Sequence, residues 1–188
     1  HELRTPLNGI LAYGEILTSD AATLKAEEIA EMGHVIYQSG KRLEHLVENF
    51  LIFAQLELLG TDPQKLGSLL RKQTPSPAPL IERHAREQAM LANRPKDLIV
   101  ELHDVPVPIS EEYLCKIVAE LVQNAFKFSQ PNSPVRVSLA EATDGVNLVV
   151  KDEGRGLSTE HINKVGAYMQ FDRKMHEQQG LGLGLTIC

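Results

Sequence analysis

The amino-acid sequence predicts two parts of different architecture. The first is an antiparallel helical hairpin that forms a dimeric four-helix bundle, and the second is an α/β sandwich with a mixed sheet and helices on one face. Apolar residues recur every seven positions over 24–59, a stretch rich in proline and glycine follows, and β-type segments then alternate with amphipathic ones. A chain of 188 residues, 43% of them hydrophobic, is large enough for both parts.

The first predicted helix spans His1–Thr18. Its apolar seam alternates by three and four residues and consists of Leu3, Leu7, Ile10, Gly14 and Leu17. At about 100° per residue, His1 lies about 160° from the middle of this seam, and Thr5 lies near the face of His1, about one turn along. We therefore expect His1 to face solvent beside Thr5, and Pro6 to bend the helix just after His1. A lone exposed histidine is by default an inert surface residue.

A capping turn at Ser19–Thr23 separates this helix from a long second helix, Leu24–Leu59. The second helix carries two interleaved sets of residues seven apart: Ile29, Ile36, Leu43 and Phe50, and Met32, Ser39, Leu46 and Phe53. Two helices with one apolar stripe each cannot cover both stripes as a single hairpin, so dimerisation is the simplest solution. The alternative is that the stripe packs on the rest of this chain.

A linker is predicted at 61–79, because Gly60, Pro63, Gly67 and three further prolines break the helical pattern. The predicted domains are a hairpin at 1–60 and a second domain at 80–188. Since the sequence starts and stops inside apparent helices, we expect both domains to be truncated at the outer end.

The predicted elements of the second domain alternate between helix and strand. Ser110 is a plausible helix start, because serine can cap the first turn. The predicted segments are a helix at Leu80–Ala92, a strand at Asp97–His103, a helix at Ser110–Ser129 and a hairpin of Val135–Ala142 with Val146–Lys151.

Bulk properties exclude some classes of protein. A net charge of −6 argues against a general nucleic-acid binder, which needs a basic surface. The two cysteines, Cys115 and Cys188, show no metal-type spacing, so a reduced, cytoplasmic compartment is the expectation. No apolar run is long enough to span a bilayer, so any membrane association would come from segments outside this sequence.

One face of the helix around Ala119–Ser129 carries chemistry. Glu120, Gln123, Asn124 and Lys127 recur at spacings of three and four and share that face. A carboxylate and an amide oxygen suit Mg²⁺, which keeps its bridge to substrate phosphates, and an ammonium neutralises those phosphates. The plain alternative is a solvated amphipathic helix.

Two glycine-containing motifs follow. Asp152 comes directly after a strand and precedes Gly154 and Gly156, so it is a fixed acceptor beside a backbone that a ligand can approach closely. An ordinary strand-to-loop turn is the alternative. Alternating glycines from Gly180 onward open a predicted helix and expose N–H groups suited to phosphate. The polar segment between the motifs, 157–179, is interpreted as a lid.

The ordered set of motifs H-E-L-R-T-P-L, E-L-V-Q-N-A-F-K-F-S, D-E-G-R-G, Y-M-Q-F-D-R-K and G-L-G-L-G-L resembles the catalytic core of two-component sensor histidine kinases. The resemblance covers nearly the whole chain. It implies a hairpin for dimerisation and phosphotransfer, followed by an ATP-binding domain of the type shared with gyrase and heat-shock chaperone ATPases.

The resemblance also implies residue roles. In the hairpin, His1 matches the phosphoacceptor, Glu2 the adjacent acid that orients or deprotonates the imidazole, and Thr5 the position that places a water for dephosphorylation. Glu120 and Asn124 match the catalytic and Mg²⁺ positions, with Asn124 as the preferred direct ligand.

The remaining implied roles concern the nucleotide. Lys127 matches a phosphate contact, Asp152 the acceptor for the adenine amine, and Gly154 and Gly156 the base-binding turn. The lid and the second glycine motif supply Phe171 as the lid aromatic, Arg173 or Lys174 as its phosphate contact, and Gly180, Gly182 and Gly184.

These features lead to the prediction of an ATP- and Mg²⁺-dependent histidine kinase. It phosphorylates His1, passes the phosphoryl group to an aspartate on a response regulator, and also acts as a phosphatase toward it. One alternative is an ATPase of the same superfamily that uses hydrolysis for conformational work. The other is a degenerate kinase that serves as a dimeric docking scaffold.

Overall fold

The computed structural model describes residues 2–60, 72–159, 162 and 183–188. These residues fall into two compact units, which divide within the long second helix between Gln55 and Leu56.

The first unit contains helix α1, Arg4–Ser19, which begins later than the sequence predicts. Pro6 therefore lies in the first turn, where a backbone N–H has no intrahelical partner and proline is tolerated. Only two helical residues precede Pro6, so Pro6 does not bend a longer helix as the sequence predicts. Instead it is buried in the first turn of α1.

Helix α2, Ala26–Gly60, confirms the predicted long helix to within two residues at its start. The Glu28 carboxylate accepts a hydrogen bond from the backbone N–H of Lys25 at 2.8 Å, which satisfies one of the free donors of the first turn. Neither α2 nor any other helix in the described part of the chain combines the length and the apolar character that a membrane crossing requires.

Helices α1 and α2 approach each other closely at Gly9, where a Cβ would lie 2.9 Å from Oγ of Ser39. Four residues of the predicted stripes, Leu3, Leu7, Ile29 and Phe50, are nevertheless exposed, while the others are half-buried or buried. Leu46 is buried, but large apolar side chains at least 41% exposed include Leu3, Leu7, Leu11, Ile29, Tyr37, Val47, Phe50 and Leu51.

The second unit is an α/β sandwich. Its elements are α3 (Ala78–Leu91), β1 (Leu98–Leu102), α4 (Glu111–Phe128), β2 (Val135–Ala142), β3 (Gly145–Lys151) and α5 (Gly184–Ile187). The described strands are ordered β1-β2-β3, with β1 parallel and β3 antiparallel to β2. The mixed sheet and the hairpin of β2 and β3 are therefore confirmed.

The core of this unit lies between the sheet and the two helices α3 and α4. Alternate residues of β2 point inward, while the residues between them are more exposed, as expected for a sheet with helices on one face. Fully buried side chains of this core include Ile81, Ala85 and Ala89 of α3, Val118 and Val122 of α4, and Val135, Val137 and Leu139 of β2.

The segment before α3 pairs with a segment that follows β1. Thr74 and Val107 exchange backbone hydrogen bonds of 2.9 and 3.0 Å. The carboxylate of Asp104 accepts hydrogen bonds from the Ser76 hydroxyl at 2.6 Å and from the Ala78 N–H at 3.0 Å. Asp104 therefore caps α3 from a position far along the chain.

Candidate functional site

Helix α4 positions the polar residues singled out in the sequence. Its buried side carries Leu114, Val118 and Val122, which fixes the helix on the sheet. On the opposite side exposure rises toward the C-terminal end. Glu120 is buried, Asn124 is half-buried, and Gln123 and Lys127 are exposed.

The carboxylate of Glu120 is held inside the second unit. Its Oε1 lies 3.1 Å from Nζ of Lys116, one turn earlier on the helix, and both side chains are largely excluded from solvent. Gly184, the first residue of α5, packs against the same carboxylate, because a Cβ there would overlap Oε2 of Glu120. The sequence predicted a shared polar face but not that a second helix covers Glu120.

Gly184 also approaches Asn124, since the same Cβ would lie 3.8 Å from its Nδ2. The second glycine motif thus ends beside the chemistry-bearing face of α4. Nearby, the thiol of Cys188 donates to the carbonyl oxygen of Gly184 at 3.1 Å. Burial, followed by the negative charge of Glu120, raises the pKa of Cys188 to about 12, so this thiol stays protonated at neutral pH.

Asp152 follows β3 directly and is half-buried. Its Oδ1 accepts a hydrogen bond from the N–H of Gly154 at 2.7 Å, which fixes the carboxylate within a tight turn. Gly156 has a φ of +63°, in the left-handed region that favours glycine.

Gly154 brings this turn onto the end of α4. A Cβ at Gly154 would overlap the carbonyl oxygen of Phe128 and lie 2.6 Å from Oδ1 of Asp152. Only glycine permits this close approach, so the turn after β3 and the last turn of α4 form one surface. The structure thereby brings Asp152 and the C-terminal end of α4 together.

Two cations flank the ring of Phe128 at this junction. The Nζ of Lys127 lies 5.3 Å from the ring centroid, and the guanidinium carbon of Arg155 lies 5.0 Å from it. The sequence pattern marked neither Phe128 nor Arg155 as a site residue. For Arg155 a signal was present. Its place between the two glycines of D-E-G-R-G was the available signal, but the contact itself joins distant parts of the sequence.

The predicted residues of the hairpin are described only in part. Thr5 is exposed in the first turn of α1, and Glu2 is half-buried in the turn before it. His1 lies outside the described residues. The same is true of Phe171, Arg173, Lys174, Gly180 and Gly182, so the predicted lid and most of the second glycine motif carry no structural description here.

An open groove of about 490 Å³ lies elsewhere in the second unit, between α3 and β1. Its lining includes Glu82, Arg86, Val100 and Asp104, and none of the residues predicted for the nucleotide site. The candidate site is therefore the surface at the end of α4 and not this groove.

Whether this surface can bind a metal-bound nucleotide depends on which metal-ligating side chains it contains. Within the described ranges, no three His, Cys, Asp or Glu side chains converge in a way that could hold a metal ion. An amide oxygen at Asn124 is a suitable but single ligand, which fits Mg²⁺ because that ion keeps waters and takes further oxygens from substrate phosphates. Lys127 adds a positive charge three residues along the same helix.

Two family models match the chain. Residues 1–59 match the His Kinase A (phospho-acceptor) domain, and residues 109–188 match the histidine kinase-, DNA gyrase B- and HSP90-like ATPase domain. The second match contains every predicted nucleotide-site residue from Glu120 to Gly184.

Individual proteins are similar over the full chain. The histidine protein kinase DivJ of Caulobacter vibrioides is 30% identical over 100% of this chain and 31% of its own length. The chain spans about a third of the length of DivJ, and about a third of the length of the Bacillus subtilis sensor histidine kinase YvrG and the Staphylococcus aureus sensor protein SrrB.

Two solved structures share the fold. The Acinetobacter baumannii histidine kinase AdeS has a TM-score of 0.64 at 19% identity, covering 98% of this chain and 83% of that one. Full-length ShkA, crystallised in complex with AMPPNP, has a TM-score of 0.60 at 26% identity, covering 100% of this chain and 38% of that one.

Proposed function

Because the chain belongs to the two-component sensor histidine kinases, we propose that it is the catalytic core of an ATP-dependent protein-histidine kinase that phosphorylates its own His1. The phosphoryl group then passes to an aspartate on the receiver domain of a response regulator. In this proposal, residues 1–60 form the hairpin for dimerisation and phosphotransfer, 61–79 the linker, and 80–188 the ATP-binding domain.

The junction of α4 with the turn after β3 is the observation that carries the proposal. Gly154 packs on the carbonyl of Phe128, so the fixed carboxylate of Asp152 and the cation of Lys127 belong to one surface. Asp152 accepts a hydrogen bond from the adenine amine beside Gly154 and Gly156, and Lys127 contacts the phosphates. The AMPPNP in the complex of ShkA supports an adenine nucleotide as the ligand.

The roles of Asn124 and Glu120 differ in this proposal. Asn124 is half-buried and offers its amide oxygen to Mg²⁺, which supplies charge neutralisation at the phosphates when bound. Glu120 is buried against Lys116 and Gly184, so we assign it to the catalytic position mainly as the group that fixes α5 and the glycine motif beside Asn124. We assign Phe171, Arg173 and Lys174 to the lid, and Gly180 and Gly182 to the phosphate contacts, because the resemblance implies these roles.

The phosphotransfer step is a displacement at phosphorus. A ring nitrogen of His1 forms a bond to the terminal phosphorus of ATP, the bond to the bridging oxygen breaks, and ADP leaves. Glu2 accepts the imidazole proton. Thr5 is exposed in the first turn of α1, where its hydroxyl can place the water that hydrolyses the phosphorylated regulator.

Dimerisation explains the outward-facing stripe of the hairpin. Leu7 and Phe50, which belong to the predicted stripes, are 43% and 47% exposed, which is unusual for the seam of a helical pair. A four-helix bundle of two hairpins buries such a stripe.

Incubation with ATP labelled at the γ-phosphate tests the proposal. We expect an acid-labile, base-stable label on the protein, no label on His1→Gln, and unchanged ATP binding by that variant, since the nucleotide residues lie elsewhere in the chain. Asp152→Asn should weaken ATP binding, because an amide also presents a donor to the adenine amine.

In the same assay, Thr5→Ala should keep autophosphorylation and slow the decay of the phosphorylated regulator. Label that persists on His1→Gln would place the phosphoacceptor elsewhere, and an ATP affinity unaltered in Asp152→Asn would remove the assignment of the pocket.

A further inference from the structure

Arg94 lies in the turn between α3 and β1, and only 9% of its side chain is exposed. Its guanidinium group makes seven hydrogen-bond contacts through five N–H donors, so some of these bonds share a donor. They go from Nε to Oδ2 of Asp97 (2.6 Å), from Nη1 to Phe126 O (3.0 Å), Ser129 O (3.1 Å) and Ser129 Oγ (3.0 Å), and from Nη2 to Gln130 O (2.6 Å), Ser133 O (3.0 Å) and Ser133 Oγ (3.4 Å).

The local backbone places Arg94 for these contacts. Asn93 has a φ of +56°, which reverses the chain after α3, and the N–H of Arg94 bonds to the carbonyl of Ala89 at 2.8 Å. Asp97 holds Nε and also accepts the N–H of Asn132 at 2.9 Å. These hydrogen bonds fix the backbone N–H and the Nε of Arg94, so Nη1 and Nη2 are the atoms that contact the end of α4 and the loop after it.

The acceptors of Arg94 lie at the C-terminal end of α4 and in the loop that follows. The last carbonyls of a helix have no intrahelical partners, and a cation there is favoured by the helix dipole. Arg94 supplies both a donor and a charge to this end, at Phe126 and at Ser129. Its guanidinium carbon also lies 5.0 Å from the ring centroid of Phe126.

Lys127 and Phe128 are the two residues between these anchoring points. The same turn is also contacted by Gly154, at the carbonyl of Phe128. The last turn of α4 is thus held both by the main chain of the turn after β3 and by the side chain of Arg94. Lysine cannot replace this arrangement, because an ammonium has three donors and lacks the planar fork.

We propose that Arg94 is a positioning residue for the nucleotide site, which acts through the carbonyls of Phe126 and Ser129 to fix where Lys127 and Phe128 are presented. This inference rests on the proposed function, because it takes the end of α4 as the place where ATP binds. Arg94 itself touches no substrate. A residue that served stability alone would change the free energy of unfolding without changing nucleotide affinity in the folded protein.

The test compares Arg94→Lys with Arg86→Gln in the full chain. Arg86 is a matched control, because it belongs to α3 and pairs with Glu82 but is 59% exposed. The dissociation constant for ATP is measured at a temperature where circular dichroism shows each variant to be folded. We expect Arg94→Lys to bind ATP about tenfold more weakly or worse, and Arg86→Gln to bind it as the unmodified chain does.

Two further arms keep the inference testable if Arg94→Lys does not fold. Asp97→Asn removes the charge that orients Nε, so its ATP affinity should fall in the same direction by a smaller factor. In Arg94→Ala, free guanidinium ion, well below denaturing concentrations, should restore ATP affinity, whereas equal sodium chloride should not. An ATP affinity within twofold of the unmodified chain in folded Arg94→Lys, or in folded Asp97→Asn, would overturn the role of Arg94. Failure of the unmodified chain to bind ATP would instead remove the proposed function.

Discussion

The helical hairpin and the α/β sandwich bury their apolar residues to very different extents. In the sandwich, Val118, Val122, Val135 and Val137 are fully buried. In the hairpin, Leu46 is 4% exposed, whereas Phe50, one turn further along α2, is 47% exposed. The sandwich therefore completes a core within this chain, and the hairpin presents an apolar surface that a second copy would cover.

This difference teaches where each part draws its stability. A sheet with helices on one face closes its core with residues far apart in sequence. Ile81 of α3, Val118 of α4 and Leu139 of β2 belong to one buried cluster. A pair of helices has one stripe each and needs further helices to exclude water from both. Substitutions that are chemically identical should therefore have different consequences in the two regions.

The largest expected effect is that of a charge placed in each apolar surface. Val122→Asp buries a carboxylate in the core of the sandwich, which should lower the free energy of unfolding by at least about 4 kcal/mol and abolish cooperative folding of that unit. Phe50→Asp should instead leave the sandwich folded and dissociate the dimer that we propose. Thermal denaturation followed by circular dichroism measures the first effect, and sedimentation equilibrium measures the second.

The inference that a second copy covers the hairpin would be wrong if Phe50→Asp and the unmodified chain had the same mass in solution. The stripe of the hairpin would then be covered by other parts of this chain, the alternative that heptad spacing alone leaves open.

A smaller effect is expected from alanine at two glycines. In Gly154→Ala, the new methyl group overlaps the Phe128 carbonyl, a backbone atom that cannot easily move, so a loss of about 1–3 kcal/mol is expected. Gly33 lies exposed inside α2 with open space around it, so Gly33→Ala should stabilise the helix by about 0.5–1 kcal/mol. Chemical denaturation of both variants should give shifts of opposite sign.

The ATP affinities of the two variants give a second comparison. Gly154→Ala should bind ATP more weakly than the unmodified chain, and Gly33→Ala should bind it equally well. Equal and small shifts in the denaturation midpoint of both variants would show that the turn after β3 is not packed on α4 as described.

Most element boundaries could be predicted because they depend on local patterns. The alternation of β2 and the seven-residue spacing of α2 are visible within short windows of sequence. The shared face of Glu120, Asn124 and Lys127 follows from helical geometry in the same way.

What the sequence could not predict are contacts between distant segments. Arg94 reaches acceptors 32 to 39 residues away, and no local pattern marks it among the other arginines. The burial of Glu120 depends on Gly184, which lies in another helix. The contact of Arg155 with the ring of Phe128 is a third example, because it depends on how the chain folds back to bring the turn after β3 onto α4.

The smallest expected effect concerns two helices that are capped by carboxylates in different ways. Glu28 caps α2 from three residues away, whereas Asp104 caps α3 from 26 residues away and so ties two segments of the sandwich together. The hydrogen bond from Ser76, followed by that from the Ala78 N–H, lowers the pKa of Asp104 below its usual value.

Because the folded state depresses this pKa, the stabilisation by Asp104 is present above the pKa of the unfolded chain and is lost as the pH falls through the lower, folded value. The unmodified chain should therefore be more stable than Asp104→Asn at neutral pH, and the difference should shrink below about pH 4, where the carboxyl of the unfolded chain becomes protonated. Urea denaturation of both proteins across this range measures the difference directly. Glu28→Gln serves as the matched hairpin variant and should leave the transition of the sandwich unchanged. A difference between the unmodified chain and Asp104→Asn that stays constant from neutral to acidic pH would show that the charge of Asp104 does not stabilise the cap.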